Sequence, residues 1–173
     1  LAAKTAHPDK LIYLSPGHFP DRTFCLNVLE VDRSHPRAGQ LMDIVAGNVV
    51  TMFEPLGRYD PAFMTLVGKY LKAGVQLVFA EPQPTLRDVV VLFLDDGYRR
   101  RLKEKSRRPD LQWFWDDYEE WNAAMQRTQV DSTLGRLWDF LTSTVTSFFI
   151  ANPTSTLHLT QWLSEGKLIV INL

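Results

Sequence analysis

Thr85-Leu86-Arg87-Asp88-Val89-Val90-Val91-Leu92-Phe93-Leu94 is the stretch on which the fold class turns. Its last six residues form a β-branched, uninterrupted apolar run of the kind found in buried strands. Ahead of that run, Thr85 and Asp88 have the spacing of a capping box, with Asp in the usual Glu/Gln place. Pro82 and Pro84 punctuate the chain just before it. Cap and punctuation together predict a short buried helix. Asp95-Asp96 then opens a second helix, on which Tyr98 and Leu102 lie one turn apart.

Working outward toward the N-terminus, Asp60-Pro61 places a capping acid before a proline at the first helical position. That helix is expected to run to Gly74, whose missing Cβ suits a left-handed C-cap. Residues 37–53 hold Leu41, Ile44, Val45, Asn48 and Val49 near helical spacing. Residues 15–36 carry three prolines, two histidines and a glycine and read as an irregular connection. Lys10 to Leu14 reads as a buried strand. Toward the C-terminus, Asp110 is expected to cap a helix with an aromatic face of Leu111, Phe114, Trp115, Tyr118, Trp121 and Met125. Ser132 is expected to cap another, with Leu134, Leu137, Trp138, Leu141, Val145, Phe148 and Phe149 inward. A short turn through Leu157, Leu159, Trp162 and Leu163 ends at Gly166, and 167–173 reads as a fully buried strand.

The pattern is a mostly α chain: a multi-helix insert between two short β-strands, with 1–36 as strand and connection, 37–165 as helical subdomain and 166–173 as return strand. Two lone apolar strands make no stable sheet, so they are expected to be edges of an α/β sheet whose other strands are absent. The first residue is leucine rather than an initiator methionine and the last follows an apolar run, so both ends read as cuts within a longer protein.

The 173 residues are 45% hydrophobic and 23% charged, which excludes a disordered tail, a collagen-like repeat or a coiled-coil rod. A net charge of -1 gives no global attraction to nucleic acid, so any such attraction has to be local. No apolar run is long enough to span a bilayer, no signal-peptide layout is present, and Cys25 alone permits no internal disulfide.

Recognisable catalytic signatures are missing. Neither GxxxxGK[ST] nor GxGxxG occurs, and Gly166-Lys167 precedes a strand where a phosphate loop follows one. His18, Asp21 and Cys25 fall close together without metal-ligand spacing, and Ser15-Pro16-Gly17-His18 has no third partner for nucleophilic catalysis. Asp95-Asp96, Asp116-Asp117 and Glu119-Glu120 are adjacent pairs, which diverge by about 100° on a helix and do not converge on one substrate atom.

The sharpest local feature is basic. Arg99, Arg100, Arg101, Lys103, Lys105, Arg107 and Arg108 crowd into one segment against a single acid, Glu104. One reading is contact with a phosphate backbone, with no base recognition implied. The other is neutralisation by the acidic stretch of Asp110, Asp116, Asp117, Glu119 and Glu120. Trp113 and Trp115 beside the run are suited to base stacking, although helical aromatic spacing is more often core.

Several short motifs resemble VirD4/TraG-type conjugative coupling ATPases and their VirB4-like and HerA/FtsK-like relatives. They are Thr85–Val89, the Leu-rich helix ending in Asp95, the Tyr98-Arg99 pair, and Trp113-Phe114-Trp115-Asp116-Asp117-Tyr118-Glu119. Leu134–Leu141, Ala151-Asn152-Pro153, Leu157-His158-Leu159 and Gly166–Leu173 continue the likeness. Upstream, Asp9–Pro16 and Leu26-Asn27-Val28-Leu29 add to it, with Val28 where the family more often has proline.

The resemblance implies a fragment of a DNA-translocating P-loop ATPase of conjugation or type IV secretion. Its helical part is the all-α subdomain inserted in an interrupted RecA-like α/β motor. ATP and Mg are implied for the parent protein and no cofactor for this fragment, which lacks Walker A and a convincing Walker B and is not expected to hydrolyse ATP alone. DNA, a relaxase or secretion substrate, and further copies in a hexamer are the implied partners. A cytoplasmic location is implied, with the parent associated with the bacterial inner membrane. The alternative is a protein-interaction module docking a relaxase, a secretion substrate or a neighbouring subunit, in which part of Trp113, Trp121 and Trp162 forms an exposed surface.

Overall fold

The computed structural model describes residues 8–15, 24–53, 61–142, 147 and 152–172. Pro16, Gly17, His18, Asp21, Asp60, Val145, Phe148, Phe149, Ala151 and Leu173, which figure in the sequence reading, lie outside the described residues. The described chain is mostly helical with two short parallel strands. A 3-10 turn at Pro8–Lys10 leads into β1 (Leu11–Leu14), followed by α1 (Ala38–Phe53), α2 (Pro61–Val78), α3 (Leu86–Leu94), α4 (Asp96–Lys105), α5 (Pro109–Glu120), α6 (Ala123–Thr142), α7 (Leu159–Ser164) and β2 (Leu168–Ile171).

The two strands pair with each other in parallel, Leu11 opposite Leu168 and Leu14 opposite Ile171. The whole helical region is therefore the crossover between neighbouring parallel strands. β2 is expected to be fully buried, but Leu168 and Ile171, on opposite faces of the strand, are both about half exposed, neither face being fully covered by the described residues.

The stretch 85–94 is helical. The Thr85 backbone N–H donates to the Asp88 carboxylate at 2.7 Å and the Thr85 hydroxyl donates to the same oxygen at 2.9 Å. Asp95 then accepts from the Tyr98 backbone N–H at 2.9 Å and starts α4. At the far end, Gly166 takes a left-handed φ of 68°. The Gly166 and Lys167 N–H groups close α7 onto the Leu163 and Trp162 carbonyls, a Schellman motif.

α2 is the central helix and packs against α1, α3, α4, α5 and α6. Val67, Tyr70, Leu71, Ala73, Val75, Leu77 and Val78 are all buried, so it is apolar around most of its circumference. Gly74 does not end it. The helix runs four residues further, and Gly74 is the point where α3 comes closest: a Cβ there would sit 2.9 Å from Val89 Cγ1 and 3.4 Å from the Phe93 ring. The glycine is present for close approach, not for φ.

Further expectations are corrected. α5 starts at Pro109, with Arg108 at the N-cap, because proline at the first position is already pre-set for helix. Asp110 falls inside the first turn. α6 starts near Asn122, whose side-chain oxygen accepts from the Met125 N–H at 3.0 Å, so Ser132 is mid-helix. Met125 thus leaves the aromatic face of α5 and is about half exposed. Ile44 on α1 and Trp138 on α6 also point outward, the buried faces being Ala46, Val49 and Phe53 on α1 and Val130, Thr133 and Leu137 on α6.

The segments next to the strands are zipped together. Cys25 N–H donates to Thr156 Oγ1 at 2.8 Å and Asn27 N–H to Ser155 Oγ at 2.9 Å, while the Thr156 N–H returns a bond to the Cys25 carbonyl. Buried Asn27 adds side-chain bonds from Nδ2 to the Pro84 and Pro153 carbonyls, both 2.9 Å.

Replacing Gly74 tests the close approach of α2 and α3. Gly74→Ala gains about 1 kcal/mol of helix propensity but overpacks the contact at a cost of about 1–3 kcal/mol, so its thermal midpoint should fall. Gly135→Ala on α6, where a Cβ meets no described atom within 4 Å, should raise it. Equal shifts in calorimetry for the two variants would contradict the packing role of Gly74.

Candidate nucleic-acid interface

The basic run begins on α4, which Asp95 and Leu102 orient against α3 and α5. One helix cannot turn seven cations to the same side, and the structure sorts them by what each one meets. Arg99 is buried, 1% exposed. Its Nη1 donates to the Leu92 carbonyl at 3.1 Å, its Nη2 to Asp96 at 2.6 Å and its Nε to Glu119 at 3.0 Å, and its guanidinium lies 5.2 Å from the centre of the Tyr118 ring. Every edge of Arg99 is occupied within the protein, so it offers no surface to a polyanion.

Lys103, one turn on, donates to Asp116 at 2.6 Å and to Glu119 at 2.5 Å. Partial burial pushes its ammonium pKa down, but the two carboxylates outweigh that and hold it above the ordinary lysine value. Arg99 and Lys103 thus share Glu119 and bind α4 to α5. Arg101 and Lys105 both reach Glu81 in the α2–α3 link, at 3.1 and 3.3 Å. Arg108 is held by Asp110 and Asp43, each at 2.6 Å. Its pKa is raised first by the Asp110 hydrogen bond, then by Asp43 against the cost of partial burial. Arg100 and Arg107 are exposed and form no ion pair among the described residues.

Neutralisation therefore takes place, but not only by the acidic stretch foreseen. Asp110, Asp116 and Glu119 contribute; Glu81 and Asp43 come from elsewhere in the sequence; Asp117 and Glu120 pair with nothing among the described residues. Exposed pairs such as Arg101–Glu81 contribute about 0–1 kcal/mol and yield readily to another anion. The buried Arg99 cluster does not. Trp115 is fully buried against Phe93 and Phe114, Trp121 and Trp162 are partly buried, and Trp113 stands 74% exposed.

Sequence reasoning missed Arg33. Its Nη2 donates to the Phe79 carbonyl at 3.0 Å and also to the Glu81 carbonyl, closing the C-terminal end of α2. Nothing in the irregular segment around it signals that role. Among the described residues, no three His, Cys, Asp or Glu side chains gather as a metal centre, and no helix is long and apolar enough to cross a membrane. Cys25 is buried; its expected neighbours His18 and Asp21 lie outside the described residues. No family model, curated protein or solved structure matches this chain.

Arg99 and Arg100 separate the structural from the surface part of the run. Arg99→Ala loses charged hydrogen bonds and empties a packed space, a cost of about 2–4 kcal/mol, whereas Arg100→Ala should stay within about 0.5 kcal/mol of the parent. Urea unfolding of both variants checks this, and comparable stabilities would refute the structural role of Arg99.

The buried tyrosines give a pH signature. Burial pushes Tyr118 up to about 12 despite the nearby Arg99 charge. Burial followed by the Asp88 and Glu81 charges also raises Tyr98. An unfolded phenol titrates near 10.0, so between these values the folded state keeps protons that the unfolded chain has lost. Stability from this source is full below pH 10 and is lost as pH rises toward 12. Phenolate absorbance should lag behind that of the denatured chain and then appear together with unfolding.

Proposed function

We propose that this chain is the helical insert of a DNA-translocating P-loop ATPase of the conjugative coupling type, contributing a surface for DNA or substrate recognition. The observation that carries this reading is the in-register parallel pair β1–β2 with the helices as its crossover. Parallel strands occur almost only in α/β sheets with both faces covered, and a two-stranded sheet is marginal alone. The half-exposed apolar side chains of Tyr13, Leu168 and Ile171 lie on the two faces of the pair and suit a sheet whose faces are covered by other elements. The order strand, helical body, strand is that of the subdomain inserted in a RecA-like motor.

In this reading ATP and Mg belong to the motor, and no residue of this chain is given a role in hydrolysis. The parent protein works as a homo-oligomer on DNA, on the cytoplasmic side of the membrane. A second reading, docking of a relaxase, a secretion substrate or a neighbouring subunit, draws on the exposure of Trp113, since aromatic anchors dominate protein interfaces.

Fluorescence anisotropy with labelled single- and double-stranded DNA of unrelated sequences, at two salt concentrations, tests the reading. Binding should be indifferent to sequence and weaken with salt at about 0.7–0.9 in log–log slope per phosphate contacted. Absence of binding to any DNA at low salt would remove DNA recognition and leave the docking reading.

A further inference from the structure

Two clefts adjoin along α2. The first, of about 340 Å³, lies between α1, the end of α2 and the α4–α5 link, and Arg33, Asp43, Lys105, Arg107 and Arg108 supply its charges. The second, of about 420 Å³, lies between α2 and α5, with Lys69, Lys72, Asp110, Leu111 and Phe114 among its walls. Gln76 and Arg108 line both, so the two clefts form one groove.

The charge of this groove runs against that of the chain. Six cations line it, from four separate segments, against the two carboxylates of Asp43 and Asp110, while the whole chain carries a net charge of -1. Both carboxylates are already engaged by Arg108. Arg107 forms no ion pair among the described residues, and neither does Lys69 or Lys72. Lys69 Nζ instead lies 5.3 Å from the centre of the Phe114 ring. Arg33 uses only Nη2, on two carbonyls, and its positive charge meets no carboxylate among the described residues. Arg33, Lys69, Lys72 and Arg107 therefore make no ion pair among the described residues, although Asp43 lies near enough to Lys72 to feel its charge. Their placement in a recess focuses their field more than a convex helix face would.

Helix geometry aligns them. Lys69, Lys72 and Gln76 succeed one another at three and four residues on α2 and form a single stripe along the groove floor. Arg107 and Lys105 stand at the far end, where α4 gives way to the link. Beside the stripe, Phe114 contributes to the wall, and Trp113, which lies outside the lining but one turn along α5 from the lining residue Asp110, stands 74% exposed at its rim. A cationic track flanked by an open aromatic ring is the arrangement that holds a single strand, with phosphates on the cations and a base stacked on the ring. An acidic polypeptide would use the cations but has no regular planar group for the tryptophan.

We propose that this groove, and not the outward face of α4, binds the backbone of a single nucleic-acid strand, with Lys69, Lys72 and Arg107 at phosphates and Trp113 against a base. The proposal rests on the DNA-binding reading above and sharpens it. It keeps Lys105, Arg107 and Arg108 of the basic run, adds Arg33, Lys69 and Lys72, and leaves Arg99, Arg100, Arg101 and Lys103 outside.

The test is anisotropy of a labelled oligothymidylate titrated with the whole chain, with a Lys72→Ala/Arg107→Ala double variant and with Arg100→Ala. All three replaced residues are exposed, and circular dichroism verifies that the variants fold. The double variant should bind more weakly, with a log–log salt slope smaller by about 1.4, two single-strand phosphate contacts. Arg100→Ala should bind like the parent. Oligothymidylate should quench tryptophan fluorescence, and most of that quenching should vanish in Trp113→Phe. If Arg100→Ala loses affinity and the double variant does not, the groove is overturned while DNA binding stands. If the parent chain binds no DNA at low salt, both fall. If a duplex or polyglutamate competes as well as the single strand, the assignment to a nucleic-acid strand in this groove is overturned.

Discussion

One buried amide, that of Asn27, fastens its own segment to the turn between α2 and α3 and to the 152–155 segment. Its Nδ2 donates to carbonyls of the 82–84 turn and the 152–155 segment, and its Oδ1 accepts from the Leu29 N–H at 3.0 Å. The side chain is thereby satisfied in an interior where an unpaired amide costs about 1–3 kcal/mol. An aspartate has no N–H to donate here, and a leucine leaves two carbonyls facing apolar side chains. The same turn leads into the capping box of α3, so the start of that helix is set by where Asn27 holds the chain.

From that start, α3 lies against α2 at Gly74, and the Leu92 carbonyl at its far end receives Arg99. Arg99 in turn draws in Asp96 and Glu119, and Glu119 draws in Lys103. The charges that stand out most in the sequence are thus partly framework: they fix α4 between α3 and α5. Among the cations with no ion pair within the described residues, Lys69, Lys72 and Arg107 lie on α2 and in the link after α4.

Local chemistry was legible from sequence. The capping box at Thr85–Asp88, the Asp95 cap, the glycine stop at 166 and the apolar character of both strands need only neighbours a few residues away. What depends on distant partners was not. Gly74 has the same residue identity whether it ends a helix or admits a neighbouring one, and only Val89 and Phe93 decide between them. Ser132 looks like a cap because capping chemistry suits it, yet Asn122 begins the helix first. The seven-cation run announced its charge but not its accounts with Glu81 and Asp43, which lie 20 or more residues away in sequence. Arg33, Lys69 and Lys72 had no local mark at all, since each is an isolated cation in an unremarkable segment. The pairing of β1 with β2 was beyond reach because two identical-looking apolar runs do not reveal whether they meet each other.

That pairing being parallel has a mechanical consequence. A hairpin would send the helices out and back at the same end of its strands, leaving them to swing about one pivot. Here the chain leaves beyond Leu14 and returns before Leu168, at opposite ends of a four-residue ladder that spans about 10–13 Å. The helical body is moored fore and aft. Tilting it about one mooring strains the other, so the two attachments together resist pivoting and pass a displacement of the strands to the helices as a push along the ladder.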